Sequence, residues 1–347
     1  MSAASSGNDC PGKSPGEFDL INRFFRRARD GMAPGVVLGV GDDCALLTPT
    51  PGMQLAVSTD TLVEGVHFPA DTPAADVGWK ALAVNLSDLA AMGATPRGCL
   101  LALTLPAIDE AWVAAFAQGF FALADTAGCP LLGGDTTCST PRSAMASSVL
   151  PCTMTVTVLG EIPAGEALRR DGARPGDLLC VSGTLGDAAL GLARWQRMNR
   201  DSQDPAIVRL LRPTPQMALG IALRGVATAA IDLSDGLLGD LQHILDESSR
   251  TSGQACGAEL QLAALPRSAL LAGLAGPQAY EYMLAGGDDY ELCFTVPALR
   301  LAALHVAATS VQVPVAVIGR ITADGRLRCL AADGGEWQPS RASWEHF

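Results

Sequence analysis

Short apolar runs of strand length alternate with longer helical segments along most of this chain. An apolar run at 36–40 precedes a helical segment at 75–92, and an apolar run at 99–105 precedes a helical segment at 109–127. Strands that alternate with helices are buried by those helices, so that sheet and helices pack in layers. The pattern predicts an α/β (mixed α+β) fold, and a length of 347 residues suggests two layered domains.

The composition changes at two places, which indicates where the domains begin. Residues 1–16 are small and polar and predict a disordered leader, whereas 161–176 combine charge with proline and glycine, as a domain junction does. We therefore predict one domain at 17–160 and a second at 161–347. The leader also matches the phosphate-binding pattern G-x-x-x-x-G-K-[ST] at 7–14. No apolar strand precedes that match and a Pro-Gly pair follows it, so it predicts no site.

Charge and cysteine content exclude several classes of protein. The net charge is −12 and the basic residues form no strip, which argues against nucleic-acid or anionic-membrane partners. The 10 cysteines include no C-x-x-C pair and lie mostly in apolar runs, which is typical of buried thiols in a reducing compartment. No uninterrupted apolar run reaches the roughly 18 residues of a membrane span, and the first residues lack the order of a signal peptide. We therefore expect a cytoplasmic protein.

Aspartates recur directly after predicted strands and small residues. They are Asp42, Asp43, Asp60, Asp135, Asp232, Asp235, Asp288 and Asp289. Strand ends open onto a crevice, and neighbouring glycines let the backbone approach a ligand closely. Gathered carboxylates repel each other unless a cation lies between them, and Mg²⁺ is usually held by carboxylates together with substrate phosphates. The pattern predicts a Mg²⁺ site that binds phosphate, with the cation supplying the positive charge that the chain lacks.

Asp88 differs from these aspartates because it lies inside a predicted helix. Its neighbours Leu82, Leu86 and Leu89 indicate a buried helix, where an unpaired carboxylate costs several kcal/mol. Asn85 lies one turn earlier and shares the face of Asp88. Each of the other aspartates, taken alone, is also typical of a turn or a helix cap. Their number, together with a helical aspartate, favours the metal site.

Motifs spread from Gly16 to near the C-terminus occur in a specific order. They are GEFDLI, VGDDCALL, STDTLVEGVHF, KALAVNLSDLAAMGA, LLGGDTT, RPGDLLCVSGTLGDAALGL, LRPTPQ, AIDLSDGL and GGDDYELCF. With this ordered set the chain resembles the thiamine-monophosphate kinase family, in the superfamily of aminoimidazole ribonucleotide synthetase and selenophosphate synthetase. The resemblance implies an N-terminal α/β domain that forms a dimeric barrel with a second copy. It also implies a C-terminal α/β domain with a mixed sheet flanked by helices, and an active site between the domains.

The resemblance further implies transfer of the γ-phosphoryl group of ATP to thiamine monophosphate by a Mg²⁺-dependent homodimer. By motif position, the implied metal ligands are Asp43, Ser58, Thr59, Asp60, Asp88, Asp135, Asp232 and Asp235, with Asp60, Asp88 and Asp232 implied to be catalytic. The implied ATP contacts are Gly134, Asp135, Arg170 and Ser234, and the implied substrate contacts are His67, Asp288 and Trp344. The acceptor phosphate oxygen is already ionised, so the reaction needs alignment and charge neutralisation rather than a strong general base.

The chain departs from the family's usual motifs at three positions. Cys138 follows GGDTT where the family usually has arginine, and a longer Ser-rich loop follows at 138–150. Asp288 replaces a common glutamate, and Trp344 stands where tyrosine is more frequent. Taken alone, His67 also fits a packed core residue, Arg170 a surface residue, and Trp344 simple C-terminal packing.

Two alternatives remain open from the sequence. Another ATP-using enzyme of the same superfamily would act on an amidine or make selenophosphate. A selenophosphate synthetase is expected to carry a reactive cysteine near a Gly-rich N-terminal segment, and Cys10 in the leader is a poor candidate for it. A non-catalytic acidic protein would instead bind cations tightly without turning over nucleotide.

Overall fold

The computed structural model describes residues 16–27, 33–139 and 150–340, which fold into two α/β halves. Most of the predicted leader, most of the loop 138–150 and all of Trp344 lie outside the described residues. Among the helices that are described, none is both long and apolar enough to cross a membrane.

Strands and helices alternate along the described residues, which confirms the predicted mixed α/β fold. The strands are β1 (Val36–Leu38), β2 (Leu46–Leu47), β3 (Met53–Val63), β4 (Thr95–Leu105), β5 (Leu131–Cys138), β6 (Thr153–Pro163), β7 (Leu178–Ser182), β8 (Ala229–Asp232), β9 (Gly257–Gln261), β10 (Leu292–Val296), β11 (Val315–Thr322), β12 (Leu327–Leu330) and β13 (Glu336–Trp337). The α-helices are α1 (Glu17–Leu20), α2 (Ala74–Ala91), α3 (Glu110–Ala127), α4 (Asp187–Gln196), α5 (Pro205–Leu211), α6 (Met217–Ala222), α7 (Leu237–Ser252), α8 (Gly276–Ala285) and α9 (Leu301–Ser310).

The first half is a four-stranded sheet with helices on one face. The strand order is β3-β6-β4-β5, and only the β4–β5 pair is parallel. Leu62, Leu101 and Val156 point toward α2 and α3 and are buried in the core that these helices share with the sheet. Because side chains alternate along a strand, the next residues face the other way. On that second face Val57 and Leu100 are exposed.

The second half is a seven-stranded sheet with helices on both faces. Its strand order is β13-β12-β9-β11-β7-β10-β8. Leu179 of β7 packs in a core with residues of α7 and α8, whereas the adjacent Cys180 packs in a core with residues of α6 and α9. Ala90 and Ala91, at the end of α2, belong to the second of these cores. Helix α2 therefore packs against both halves and joins them.

Three of the predicted strand ends are wrong. The strands predicted to end near Asp60 and Asp135 continue to Val63 and Cys138, so both aspartates lie within strands. The physical reason for β3 is that β6 pairs with it along all 11 residues, so backbone hydrogen bonds extend the strand past its polar side chains. The apolar run before Asp288 is helix α8, because a short apolar run does not distinguish a strand from a buried helix.

Candidate active site

A cavity of about 1270 Å³ lies between the two halves. Its walls come from β3 and α2 in the first half, and from α4, α8 and the segments around 232–235 and 286–290 in the second. It brings together predicted site residues that are far apart in the sequence. They are Thr59, Asp60, His67, Asp88, Arg170, Asp232, Ser234, Asp235 and Asp288.

The carboxylates that line the cavity influence one another electrostatically. Burial raises the pKa of Asp60 to about 6, with smaller contributions from the charges of Asp88 and Asp235. Burial and the charge of Asp88 raise the pKa of Asp232 to about 7, and the Arg170 guanidinium opposes this shift. Burial also raises the pKa of Asp88, against the effects of its hydrogen bond from Ser58 and of Arg170. Each of these acids therefore holds its proton more tightly than in water, because the ionised form is disfavoured. A bound cation would stabilise the ionised carboxylates and reduce their mutual repulsion.

Helix α2 and strand β3 hold two of these acids in place. The Ser58 hydroxyl donates a hydrogen bond to Oδ2 of Asp88. The side-chain oxygen of Asn85 accepts the backbone N–H of Asp60 at 2.9 Å, and its amide nitrogen donates to the Ala81 carbonyl at 3.0 Å. Asn85 is fully buried, so these hydrogen bonds fix the separation of the strand and the helix.

Asp240 holds the turn that carries Asp235. Its Oδ2 accepts the backbone N–H of Asp235 at 3.2 Å and that of Gly236 at 3.1 Å. It lies on the first turn of α7, is buried, and has its pKa raised to about 8 by burial and then by the charges of Asp232 and Asp235. Asp240 is not among the predicted site residues, although an aspartate four residues after a glycine that precedes a helix is a signal for capping.

Asp288 lies in a tightly constrained segment between α8 and β10. Its backbone has φ of +67°, and its N–H donates to the Ser234 carbonyl at 2.8 Å. A Cβ on Gly287 would lie 2.5 Å from that same carbonyl oxygen, so only glycine permits this approach. The Asp288 side chain forms an ion pair with Lys80, between Oδ1 and Nζ at 2.9 Å, and Oδ1 also accepts the Tyr290 hydroxyl at 3.2 Å.

His67 and Arg170 lie on different walls of the cavity. His67 is half-buried, and its Nδ1 accepts the backbone N–H of Val63 at 3.0 Å. This hydrogen bond puts the proton of a neutral imidazole on Nε2. Arg170 begins a short 3-10 turn, Arg170–Gly172, and its carbonyl accepts the Ser248 hydroxyl at 3.1 Å. His67 is half-buried, whereas Arg170 is exposed although it borders the cavity.

Several predicted site residues do not line this cavity. Gly134 and Asp135 are exposed on β5, and the sheet order puts that strand at the opposite edge from β3. Through the paired residues of β6 and β4, Asp60 and Gly134 are three strands apart, which is about 14 Å. Asp43 is exposed in the turn after β1. Thr59 does border the cavity, but its hydroxyl bonds to Thr157 on the exposed face of the sheet.

The residues fit a hard cation chemically but do not form a complete metal site by themselves. All the acids at the cavity offer oxygen ligands, which Mg²⁺ prefers to nitrogen or sulfur. In 16–27, 33–139 and 150–340, no three His, Cys, Asp or Glu side chains are close enough to share one ion. Water and phosphate oxygens commonly complete Mg²⁺ coordination, so a bound ion would depend on them here.

Lys80 and Tyr290 line the cavity but are also absent from the predicted site residues. Lys80 stands in a helix that is otherwise rich in alanine and leucine, and a lone cation there was a signal that could have been used. The sequence predicts Asn85 only as a neighbour of Asp88 on the same helix face. Its contact with β3 depends on how the helix packs and has no local sequence signal.

The chain is similar to known proteins over almost its whole length. It matches the family models AIR synthase related protein, N-terminal domain, over residues 41–162 and AIR synthase related protein, C-terminal domain, over residues 174–331. It is 47% identical over 337 residues to the thiamine-monophosphate kinase of Escherichia coli (strain K12), covering 96% of this chain and 97% of that protein.

Solved structures of thiamine-monophosphate kinase and of AaThiL are also similar to this chain over most of its length. The crystal structure of thiamine-monophosphate kinase from Stenotrophomonas maltophilia K279a has a TM-score of 0.80 and 46% identity, covering 92% of this chain and 96% of that one. The structure of AaThiL complexed with AMPPCP and TMP has a TM-score of 0.72 and 30% identity, covering 96% of this chain and 97% of that one.

Proposed function

This chain belongs to the thiamine-monophosphate kinase family, among the AIR synthase related proteins, and we propose that it phosphorylates thiamine monophosphate with ATP. It is a phosphotransferase. The observation that carries the specific reaction is the convergence of Asp60, Asp88, Asp232 and Asp235 on one cavity between the halves. A relative of the same fold has been crystallised with AMPPCP and TMP, which supports the same pair of ligands here.

In the proposed reaction, a phosphate oxygen of thiamine monophosphate forms a bond to the γ-phosphorus of ATP. The bond from that phosphorus to the β–γ bridging oxygen breaks, which gives thiamine diphosphate and ADP. The acceptor oxygen is already ionised, so no side chain has to remove a proton from it. The task of this chain is to bind both phosphates in line and to exclude other acceptors.

We propose Mg²⁺ as the cation, held by residues from the set Asp43, Ser58, Thr59, Asp60, Asp88, Asp135, Asp232 and Asp235. The raised pKa values of Asp60 and Asp232 support this, because burial and neighbouring carboxylates raise both, and Arg170 only partly offsets the shift at Asp232. Bound Mg²⁺ would neutralise the charge of the transferring phosphoryl group. Gly134, Asp135, Arg170 and Ser234 are the proposed ATP contacts, and His67, Asp288 and Trp344 the proposed substrate contacts.

The direct test is an assay with purified protein, MgCl₂, ATP and thiamine monophosphate. We expect thiamine diphosphate and ADP in equal amounts, measured by chromatography, and no product when EDTA removes the cation. Release of ADP without thiamine diphosphate would favour another enzyme of the superfamily. Tight cation binding without any ADP would favour the non-catalytic alternative.

His67→Ala is expected to raise KM for thiamine monophosphate by about 10-fold, the value of one hydrogen bond of about 1.4 kcal/mol, and to leave KM for ATP almost unchanged. The reason is that His67 lines the cavity in the turn that follows β3. His243 is exposed on α7, so His243→Ala serves as a control with unchanged kinetics. Equal increases in both KM values for His67→Ala would count against a substrate role.

We also propose that the protein is a cytoplasmic homodimer whose four-stranded sheets close into one barrel, with domains at 17–160 and 161–347. The exposed sheet face supports this, because Leu55 and Val57 are 56% and 64% exposed. Both edge strands, β3 and β5, are also unpaired among the described strands. Closure of the barrel would bring Asp135 on β5 to the subunit interface.

Val57→Asp is expected to convert the dimer into a monomer, because the substitution buries a charge in the interface. Light scattering after size exclusion would measure the mass. Leu299→Asp is the matched control, since Leu299 is 99% exposed in the second half and away from the sheet. If the measured mass of the wild-type protein were that of one chain, the proposal of a homodimer would be wrong.

A further inference from the structure

Lys80 is a chemically unusual residue in this chain. The sequence contains 2 lysines, Lys13 and Lys80, against 22 arginines. Lys13 lies outside the described residues, so Lys80 is the lysine of the described structure. Its side chain is 3% exposed, and a buried ammonium is unfavourable unless it is paired. A chain in which arginine is far more frequent therefore has a lysine at this buried position.

The partner of Lys80 explains its position. Its Nζ lies 2.9 Å from Oδ1 of Asp288, and this ion pair joins α2 in the first half to the 286–290 segment in the second. The Tyr290 hydroxyl donates to the same oxygen at 3.2 Å. Within the described residues, no hydrogen bond or ion pair involves Oδ2 of Asp288. Asp288 also lines the cavity, which leaves Oδ2 for a ligand.

The surroundings fix the direction of this carboxylate. The backbone of Asp288 is anchored to Ser234, and Gly287 packs against the same carbonyl, so the segment has little freedom to move. On the other side, Lys80 and Asp88 are eight residues apart on α2 and share one face of the helix, with Val84 between them. The helix rise separates them by about 12 Å along its axis. Helix α2 thus sets the distance between Asp88 and Asp288.

The compact head group of lysine suits this position. An ammonium is a point charge with three donors, whereas a guanidinium is a wide planar fork. Lys80 is enclosed by the buried residues of α2 and faces Asp288 from the cavity wall. A longer and wider guanidinium would displace the carboxylate from the position that Tyr290 also contacts.

We propose that Lys80 is a positioning residue for thiamine monophosphate, which holds Asp288 so that Oδ2 meets an amino or cationic group of the substrate. This inference rests on the proposed function and deepens it. Lys80 acts through Asp288 and makes no contact with ATP. Tyr290 contributes to the same orientation through its hydroxyl. Asp288 thus belongs to the second half, and the residue that orients its carboxylate belongs to the first.

The test is Lys80→Met, which leaves an unbranched side chain one atom shorter and removes its charge. We expect the dissociation constant for thiamine monophosphate, measured by calorimetry with AMPPCP and MgCl₂, to rise by about 10- to 100-fold. KM for thiamine monophosphate should rise by a similar factor, while KM for ATP and kcat should change by less than about 3-fold. Tyr290→Phe should act in the same direction with a smaller effect, and keeps the test possible if Lys80→Met does not fold.

Two comparisons separate positioning from a structural role. In a protein that already carries Asp288→Asn, Lys80→Met should raise the dissociation constant for thiamine monophosphate by less than about 2-fold more, because the partner of the ammonium is already changed. Arg212→Met is the matched control, since it removes another ion pair between the halves, to Asp76 on α2, outside the cavity. Its substrate affinity should equal that of the wild type.

Several outcomes would overturn the inference. Additive effects of Lys80→Met and Asp288→Asn would show that the two residues act independently. A loss of kcat or of ATP affinity in Lys80→Met, without weaker thiamine monophosphate binding, would assign Lys80 to the phosphates. If Asp288→Asn bound thiamine monophosphate as tightly as the wild type does, Asp288 would not be a substrate contact. Lys80 would then have no positioning role through it. Failure of the proposed function would be separate, since the wild-type protein would then form no thiamine diphosphate.

Discussion

Asp60→Asn should lower kcat by about 100- to 1000-fold, the range seen when one preorganised electrostatic contact is removed from an active site. Asp60 lies in the middle of β3 and faces the cavity, with its backbone held by Asn85. Asparagine has the same shape and keeps the backbone N–H, so the strand and its bond to Asn85 should persist. Only the negative charge is lost, and with it one ligand for a cation.

Steady-state kinetics over a range of MgCl₂ concentrations would measure this effect, and circular dichroism would check the fold. Part of the loss should be recovered at high MgCl₂ if the variant mainly weakens cation binding. Asp246→Asn is the matched control, because Asp246 is exposed on α7 and outside the cavity. Wild-type turnover in Asp60→Asn would remove Asp60 from the proposed metal set.

Asp232→Asn should stabilise the cation-free protein at pH 8 by about 2–4 kcal/mol, the free energy that corresponds to its pKa shift. Asp232 is 4% exposed, and burial together with the charge of Asp88 raises its pKa from 3.8 to about 7. The folded protein therefore binds this proton more tightly than the unfolded chain does. As the pH rises from 3.8 to about 7, ionisation of Asp232 costs the folded state stability, and above pH 7 the cost is complete.

Neutral asparagine removes this cost, so the gain should be large at pH 8 and small near pH 4.5. Thermal unfolding in EDTA at the two pH values would measure it. Added MgCl₂ should stabilise the wild type more than the variant, since binding to the folded state raises its stability by mass action. If Asp232→Asn changed the free energy of unfolding equally at both pH values, or lowered it at pH 8, Asp232 would not be a buried acid destabilised by its burial and by the charge of Asp88.

The sequence by itself determined the fold class, the family and several helix ends. Alternating apolar runs and helical segments predicted the α/β layers, because burial of one side of each element leaves a local period in the sequence. The bounds of α3 were predicted almost correctly since Asp109, which caps the helix by accepting two backbone N–H groups, stands at its start. The motifs predicted the family because their order along the chain is specific. They also selected the residues that the cavity brings together, although their roles stay predictions.

Only the tertiary structure decided which of these residues meet. Asp60 and Asp135 follow similar local patterns, yet strand pairing puts them at opposite edges of one sheet. The ion pair of Lys80 with Asp288 joins residues 208 positions apart, and the bond from Asn85 to β3 depends on the packing of a helix on a sheet. Such contacts follow from the order of strands and the distance between layers. Those quantities depend on the whole chain, so no local segment of the sequence contains them.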